Sequence, residues 1–462
     1  MTIGNRARIT RPGARGNSLW PARQPETATG TDGDGPQTPM RAGLAPAAIL
    51  FAASLIAYVI VFQIFPQHPW SMLDLHIYLR GGMAVRHSRD PYLYSYRPHT
   101  ILYFTYTPLA AGIFAALSLL SLSLLKFLTV AGSIAALVLV LWLTCGKLGH
   151  QRSVGRLGAT LTAAAVALWL EPVRQTLSYG QVNLVLMAII VADLCMPDSR
   201  WWKGVGVGLT AGFKLTPLIF IPYLVLTRRF RAAAVASATF ALTVIASFVL
   251  MPTAAHHYWI EGIFLNANRL GNVHYVGNQS LYGAALRLLG TAAAARPYQL
   301  IADVTVGMIG LALAAWASRR GQEMVGILVC ALTGLLVSPV SWTHHWVWAA
   351  PMLVVLADFA LRPPSFASPE SWRRTCWFGV AAVALVFSGV IWAVPEPAVQ
   401  GYTMTGLEQF IGDLYVLAGL VGLGLTAALL VLTRRRDVPA IAPAGAGGAG
   451  EEPLAPGLAA QP

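Results

Sequence analysis

The chain has 462 residues, of which 56% are hydrophobic and only 11% are charged. Apolar runs of about 20 residues recur along most of its length, and each is long enough to cross a hydrocarbon core of roughly 30 Å. This composition excludes a soluble globular protein and predicts an all-α polytopic membrane protein. The formal net charge of +13 raises the question of nucleic-acid binding, which depends on where the charges lie.

The apolar part of the chain lies between two polar tails. Residues 1–44 are rich in Pro, Gly, Thr and Arg, and the C-terminal tail, 433–462, is rich in Ala, Gly and Pro. Both compositions predict disordered cytoplasmic tails, which leaves 45–432 as a multi-pass transmembrane domain. The first apolar run, 45–65, is long for a signal-peptide core and has no evident cleavage site, so it is predicted to be an uncleaved span.

Hydrophobicity predicts about 12 membrane segments, which include one broken pair. In chain order they are 45–65, 124–145, 157–170, 183–196, the pair 204–213 and 216–227, 231–250, 299–317, 325–338, 346–361, 375–393 and 410–432. Basic residues flank both ends of the pair, so it is expected to enter the membrane and return, with Pro217 supplying the break after Lys214.

Most of the 32 lysine and arginine residues fall on one side of this arrangement. That side holds both tails and loops such as 146–156, and the positive-inside rule makes it cytoplasmic. The net positive charge then arises from basic residues at the inner face of a plasma membrane protein, and no nucleic-acid partner is expected. The external face has a long first loop, 66–123, with interfacial helices over 75–87 and 107–125. An ordinary span is the alternative for 107–125.

Rare polar residues concentrate at the predicted external ends of helices and at the helix break. These candidate site residues are Asp74, Arg174, Gln181, Asn183, Lys214, Asn278, Gln279, His344 and His345. A lysine at a break in a membrane helix needs an anion or backbone carbonyls as its partner. The adjacent histidines open a predicted span, where the helix N-terminus favours an anion. No set of His, Cys, Asp or Glu has metal-ligand spacing, so neither a metal nor another cofactor is expected.

Several of these candidates have a purely structural alternative. Asp74 is well placed to cap the helix that follows it, because aspartate is a favoured N-cap. Glu171 and Arg174 are three residues apart and are suited to a structural ion pair. Gln181 and Asn183 are able to join neighbouring helices by hydrogen bonds.

The order of the motifs DLHIY, EPVRQTLSYGQVN, GFKLTP, GNQSL and SPVSWTHHWVW resembles glycosyltransferase family 87 over about residues 45–432. The most similar members are α-1,2-mannosyltransferases that build phosphatidylinositol mannosides and lipomannan. The resemblance implies a C-type glycosyltransferase fold within the membrane lipids and an active site on the external face. It also implies a polyprenyl-phosphate mannose donor and a glycolipid acceptor.

The resemblance also implies roles for the candidate residues. Asp74 matches the family's aspartate in the first external loop and is the expected base for the acceptor hydroxyl. His344 and His345 match its histidines near the reaction centre. Transfer with inversion needs one base, and positive charge beside the leaving phosphate. Lys214 and Arg174 are therefore expected to hold the phosphate. Expected to bind the donor with them are Gln181, Asn183, Asn278 and Gln279.

The sequence leaves the acceptor and two alternative functions open. Trp342 and Trp346 are suited to stack on the apolar face of a sugar, but the loop 256–276 differs from the relatives and leaves the acceptor undefined. The alternatives are an arabinofuranosyltransferase that uses decaprenyl-phosphoarabinose, and a non-catalytic transporter or flippase for lipid-linked sugars. Clustering of the polar residues at one face, without an internal repeat, favours an enzyme over a transporter.

Overall fold

The fold is taken from a computed structural model that describes residues 43–64, 71–93, 95–96, 102–266, 269, 271–364, 367–394 and 404–434. Apart from their inner ends, the two tails predicted to be disordered lie outside these residues. Within the described ranges the protein is helical, and the only β-pairing is at isolated bridges.

The α-helices are numbered here in chain order. They are α1 (Leu44–Ile64), α2 (Leu73–Arg86), α3 (Pro108–Leu117), α4 (Leu122–Lys147), α5 (Val154–Ala167), α6 (Glu171–Tyr179), α7 (Asn183–Cys195), α8 (Val205–Phe213), α9 (Phe220–Leu226), α10 (Phe230–Leu250), α11 (Pro252–Ala255), α12 (Leu281–Leu289), α13 (Ala292–Arg319), α14 (Glu323–Val337), α15 (Ala349–Leu361), α16 (Pro369–Val386), α17 (Gly406–Gly412) and α18 (Leu414–Arg434). Short 3₁₀ turns connect some of them, at Thr216–Ile219, Ile263–Leu265, Thr343–Trp348 and Val390–Ala393, and a π-turn lies at His256–Ile260.

Six helical segments in the described residues are long and apolar enough to cross a membrane. They are Leu44–Val61, Leu122–Lys147, Phe230–Leu250, Ala292–Arg319, Thr343–Leu361 and Leu414–Leu432. Helices α6 and α7 make a seventh if they count as one span, although they are bent by 116°. The expected polytopic, all-helical membrane protein is therefore confirmed, whereas the total of 12 segments stays a prediction.

The expected interfacial helix 107–125 is wrong in its extent. Helix α3 ends at Leu117, and α4 begins at Leu122 and continues to Lys147. The helix is interrupted between them because serine side chains form hydrogen bonds with backbone groups there. Ser118 Oγ donates to the Ala115 carbonyl, and Ser121 Oγ accepts from Leu124 N at the start of α4, as expected of an N-cap.

The predicted span 375–393 is also wrong as a single helix. Helix α16 ends at Val386, and a separate 3₁₀ turn covers Val390–Ala393. Gly389 lies between them with a φ of 107°, a left-handed conformation that glycine adopts without steric cost. The turn brings Trp392 to the wall of the main cavity.

The predicted helix break at Lys214 is confirmed. Helix α8 ends at Phe213, Lys214 has extended backbone angles, and Pro217 lies in the following 3₁₀ turn. The two ends of the segment return to one another, since Arg229 Nε lies 3.4 Å from Asp198 Oδ1. A lysine is thus placed inside the bundle while both flanking basic loops stay at the same end.

The opposite, site-bearing end is organised around α2. The Met72 amide donates to the Ser178 carbonyl at 2.9 Å, which fixes the start of α2 against α6. Gly82 allows α3 to approach closely, because a Cβ there would lie 2.3 Å from the Phe114 carbonyl carbon. An aromatic cluster surrounds this contact and includes Tyr78 and Tyr106. Packing of α2 therefore sets the position of Asp74.

We expect the Gly82→Ala substitution to destabilise this end of the protein. The added methyl group forces α2 and α3 apart, and overpacking of this kind costs about 1–3 kcal/mol. The thermal midpoint of unfolding of the purified protein in detergent should fall.

Gly379→Ala is the matched control, because a Cβ at that helical glycine meets no atom within 4 Å. Its midpoint should stay the same or rise, since alanine favours a helix over glycine. Equal midpoints for the two variants would contradict the close α2–α3 contact.

Candidate active site

One large cavity, with a volume of about 720 Å³, opens at the end of the bundle where α2 begins. This volume lies within the usual range for small-molecule sites. Among the residues that line it are Asp74, Gln181, Lys214, His344 and His345. Five of the nine candidates predicted from sequence thus share one cavity, although they come from four separate parts of the chain.

Asp74 is half-buried on the cavity wall in the first turn of α2. The N-cap of α2 is Met72, without a side-chain cap bond, so the capping alternative is not what the structure shows. Asp74 Oδ2 instead accepts a hydrogen bond from Gln181 Nε2 at 2.7 Å. Burial raises the pKa of Asp74 to about 6, while the Gln181 bond and the Lys214 charge act in the opposite direction. A carboxyl group with a pKa near neutrality is suited to general-base chemistry.

Gln181 connects the polar groups of the cavity. Its Nε2 also lies 3.2 Å from His344 Nε2, and its Oε1 accepts from the Tyr106 hydroxyl at 3.0 Å. Tyr106 in turn accepts from the Tyr78 hydroxyl at 2.9 Å. This chain of donors fixes the amide so that its two hydrogens point to Asp74 and His344. His344 Nε2 is then an acceptor, which leaves its proton on Nδ1.

Lys214 forms the cationic part of the cavity. Its Nζ donates to Asn183 Oδ1 at 3.0 Å and lies 3.0 Å from His345 Nε2. The same atom lies 5.3 Å from the centre of the Tyr106 ring. An ammonium group has three donors, and these contacts use two of them. The third is able to bind an anion in the cavity.

The histidines are positioned by the bend between α6 and α7. Asn183 Nδ2 and Thr176 Oγ1 both donate to the His344 carbonyl, at 2.9 and 3.1 Å. The two imidazole rings are nearly perpendicular, with centroids 4.8 Å apart. His344 faces the Gln181 side and His345 faces Lys214. Asn183 thus positions His344 and the lysine, as expected of a polar side chain that joins neighbouring helices.

Four predicted donor-binding residues do not line the cavity, namely Arg174, Asn183, Asn278 and Gln279. Arg174 donates to the Ser388 carbonyl at 2.7 Å. Asn278 and Gln279 are fully buried. Their side chains bond to protein groups, because the loops they join leave backbone donors and acceptors away from water. Asn278 Oδ1 accepts from Ser341 N at 3.0 Å, and Gln279 Oε1 accepts from Tyr415 N at 3.1 Å. In the structure these side chains join loops and helices, and their expected role in donor binding stays a prediction.

The expected stacking of Trp346 on a sugar is wrong. Its side chain is 2% exposed and packs against Phe387 and Tyr415, so only Trp342 of the two predicted tryptophans lines the cavity. Glu171 accepts from Trp392 Nε1 and from the Tyr415 hydroxyl, at 3.0 and 2.8 Å. These bonds explain its burial without the predicted ion pair to Arg174.

Several residues of the site are not evident from the sequence. Tyr78 and Tyr106 order the Gln181 amide, and Arg269 adds a second cation to the cavity lining. The guanidinium of Arg269 lies over the Tyr103 ring, 4.3 Å from its centre. The high density of tyrosine in the first external loop was the available signal for the two hydroxyls.

The family model described as Glycosyltransferase family 87 matches residues 104–339 of the chain. The matched range contains Gln181, Asn183 and Lys214. Asp74 and the two histidines lie outside it, within the longer stretch that full-length relatives share. No solved structure matches the chain significantly.

Curated relatives cover most of the chain. A polyprenol-phosphate-mannose-dependent α-(1-2)-phosphatidylinositol pentamannoside mannosyltransferase of Mycolicibacterium smegmatis is 35% identical over 403 residues, which is 85% of this chain and 94% of the relative. The protein with the same description from Mycobacterium tuberculosis is 34% identical over 78% of this chain and 81% of its own length. A phosphatidylinositol mannoside mannosyltransferase of M. smegmatis is 33% identical over 85% of this chain and 93% of its own length.

We expect the Gln181→Met substitution to raise the pKa of Asp74 above about 6. The Gln181 hydrogen bond favours the charged carboxylate and so lowers this pKa, and methionine removes the donor. Infrared titration of the carboxyl stretch, with an Asp74→Asn spectrum subtracted, measures the shift.

Gln175→Met, a change on α6 that does not line the cavity, is the control and should leave the Asp74 titration in place. A lower Asp74 pKa in Gln181→Met would show that the bond to the charged form is not the dominant effect of Gln181.

Proposed function

Because the chain belongs to glycosyltransferase family 87, we propose that it transfers mannose from polyprenyl-phosphate mannose to a hydroxyl group of a phosphatidylinositol mannoside. The names of its curated relatives give that donor, that class of acceptor and an α-(1-2) linkage. One observation carries the proposal. A carboxylate with a raised pKa and a lysine lie on the wall of one cavity, joined through Gln181, Asn183 and the two histidines.

The proposed reaction needs a base at one reactant and positive charge at the other. The acceptor oxygen attacks the anomeric carbon of mannose, and the bond from that carbon to the phosphate oxygen breaks. The electron pair of this bond goes to the phosphate, which leaves as a polyprenyl phosphate monoester. The hydroxyl proton goes to Asp74. Attack opposite to the leaving group inverts a β-phosphomannose donor to an α-linked product.

Asp74 is the proposed base because the Nε2 atoms of the two histidines, the alternative bases, already accept hydrogen bonds. His344 Nε2 accepts from Gln181, and His345 Nε2 accepts from Lys214. Neither of these nitrogens has a free lone pair for the hydroxyl proton. The Gln181 bond uses one oxygen of the Asp74 carboxylate, and the other remains for the acceptor.

Lys214 is the proposed partner of the leaving phosphate, with His345 beside it. Charge on the phosphate grows as the glycosidic bond breaks, so a fixed ammonium stabilises the transition state more than the ground state. Asn183 holds Lys214 in place, which avoids reorganisation during the reaction. The phosphate is a good leaving group and needs no general acid.

We place the cavity at the external face of the plasma membrane, with both termini in the cytoplasm. The proposal includes a C-type glycosyltransferase fold with about 12 membrane segments. The distribution of basic residues supports the proposed sidedness, because loops on the predicted cytoplasmic side bear most of the lysine and arginine residues. Contacts between these loops agree with a common side, such as Arg362 Nη2 to the Leu148 carbonyl at 3.0 Å and Arg229 Nη1 to Glu323 Oε1 at 2.6 Å.

We expect Asp74→Asn to lower mannose transfer by roughly 100-fold or more, the usual scale for loss of a general base. Asparagine keeps the shape of the side chain but does not accept the hydroxyl proton at neutral pH. Initial rates with labelled polyprenyl-phosphate mannose and a phosphatidylinositol mannoside acceptor measure the effect. In the wild type the rate should rise as the pH increases through about 6, because Asp74 is deprotonated above its pKa.

Glu261→Gln is the matched control, because that carboxylate is 51% exposed and does not line the cavity. Its rate should equal that of the wild type. A folded Asp74→Asn protein with most of the wild-type rate would exclude Asp74 as the base.

Reporter fusions test the proposed sidedness. Alkaline phosphatase fused after Arg152 should be inactive, because that loop is proposed to be cytoplasmic, whereas a fusion within 394–409 should be active. Green fluorescent protein at the same positions should give the reverse pattern. Active phosphatase after Arg152 together with inactive phosphatase in 394–409 would reverse the arrangement.

A further inference from the structure

Three aromatic rings form a continuous part of the cavity wall that the proposed chemistry does not use. They belong to Tyr275, Trp342 and Trp392, which are all half-buried and all line the cavity. The Tyr275 ring contacts both others, with centroid distances of 6.3 Å to Trp342 and 5.6 Å to Trp392. The three residues come from separate loops, so the fold has assembled them. We call this surface the aromatic wall.

Buried polar groups hold Trp392 in place. Its Nε1 donates to Glu171 Oε1 at 3.0 Å, and the other carboxylate oxygen of Glu171 accepts from the Tyr415 hydroxyl at 2.8 Å. Glu171 is only 1% exposed. Burial of a carboxylate is costly unless its oxygens are hydrogen-bonded. In the structure, this group serves to orient the indole ring.

The same arrangement holds the other two rings. Asn278 Oδ1 accepts from Ser341 N at 3.0 Å, and Thr343 N donates to the Gly277 carbonyl at 3.0 Å. These bonds join the loop of Tyr275 to the loop of Trp342. A Cβ on Gly277 would lie 2.8 Å from the Tyr275 ring and 3.3 Å from the Trp392 ring. Glycine at this position therefore allows the two rings to pack closely.

We propose that the aromatic wall is the binding subsite for the sugar of the acceptor, with a pyranose ring stacked on Trp342 and its neighbours. This inference rests on the proposed function. The apolar C–H face of a sugar ring is complementary to the face of an aromatic ring. None of the three side chains bears a charge, so the wall is unsuited to the donor phosphate, which needs Lys214.

The position of Trp342 beside the turn that carries the histidines supports the acceptor as the occupant of the wall. The donor mannose is attached directly to its phosphate and must lie beside Lys214 and His345. The loops that contribute Tyr275 and Trp392 are separate from α8 and the lysine. Trp342 immediately precedes the 3₁₀ turn with the histidines, so a sugar stacked there has its hydroxyl groups next to the reaction centre.

The experiment compares variants that keep or remove an aromatic ring. In Trp342→Leu and Trp392→Leu, the KM for a phosphatidylinositol mannoside acceptor should rise about 10-fold, which corresponds to about 1.4 kcal/mol of lost binding free energy. In Trp342→Phe, which keeps a ring, the rise should be at most about 3-fold. The KM for polyprenyl-phosphate mannose should change less than 2-fold in all three variants.

Trp201→Leu is the control, because this tryptophan is 77% exposed and does not line the cavity; both of its KM values should match the wild type. If Trp342→Leu does not fold, Tyr275→Leu takes its place under the same criteria. A rise in donor KM equal to or larger than that in acceptor KM would overturn the assignment, and so would unchanged values for both. Failure of the wild-type protein to transfer mannose would instead reject the proposed function itself.

Discussion

The hydrogen bond between Gln181 and Asp74 is the contact on which the site depends. It joins α2, which carries the carboxylate, to the bend between α6 and α7, and the same amide reaches His344. A charge in an apolar bundle is tolerated only when its partners are fixed. The tyrosine hydroxyls that orient the amide, and the close α2–α3 packing that positions Asp74, both serve this one requirement.

The aromatic wall and the charged groups divide the cavity by chemistry. One region holds Lys214 and the histidines, which suit a phosphate, and the other holds stacked rings, which suit an uncharged sugar. Asp74 belongs to the charged region, where its raised pKa depends on partial burial. Such a division allows the two proposed amphiphilic substrates to bind in one cavity in distinct orientations.

The parts of this site that the sequence predicts are those whose residue types are costly in a membrane. Lys214 at a helix break and the adjacent histidines are unusual in an apolar chain, and they do share a cavity. Asn278 and Gln279 were unusual for the same reason, but a polar residue's type does not say whether its partner is a ligand or a backbone carbonyl. Tyr78 and Tyr106 were missed because tyrosines are common near membrane surfaces. The C-terminal ends of α3 and α16 depend on local hydrogen bonds of serines and on a glycine with positive φ, which a hydrophobicity pattern does not predict.

The shortness of α14 has a consequence for how a lipid-linked substrate meets the enzyme. Its 15 residues span about 23 Å at 1.5 Å per residue, less than the roughly 30 Å of a hydrocarbon core. Glu323, at the first end of α14, is hydrogen-bonded to Arg229 in a predicted cytoplasmic loop. The part of the hydrocarbon thickness that α14 does not span therefore lies beyond Val337, where the cavity is. With α14 as a membrane segment, as in the proposed topology, the floor of the cavity lies below the level of the lipid headgroups. A polyprenyl carrier is then able to deliver its sugar while its isoprenoid chain stays within the bilayer, without the work of drawing that chain into water.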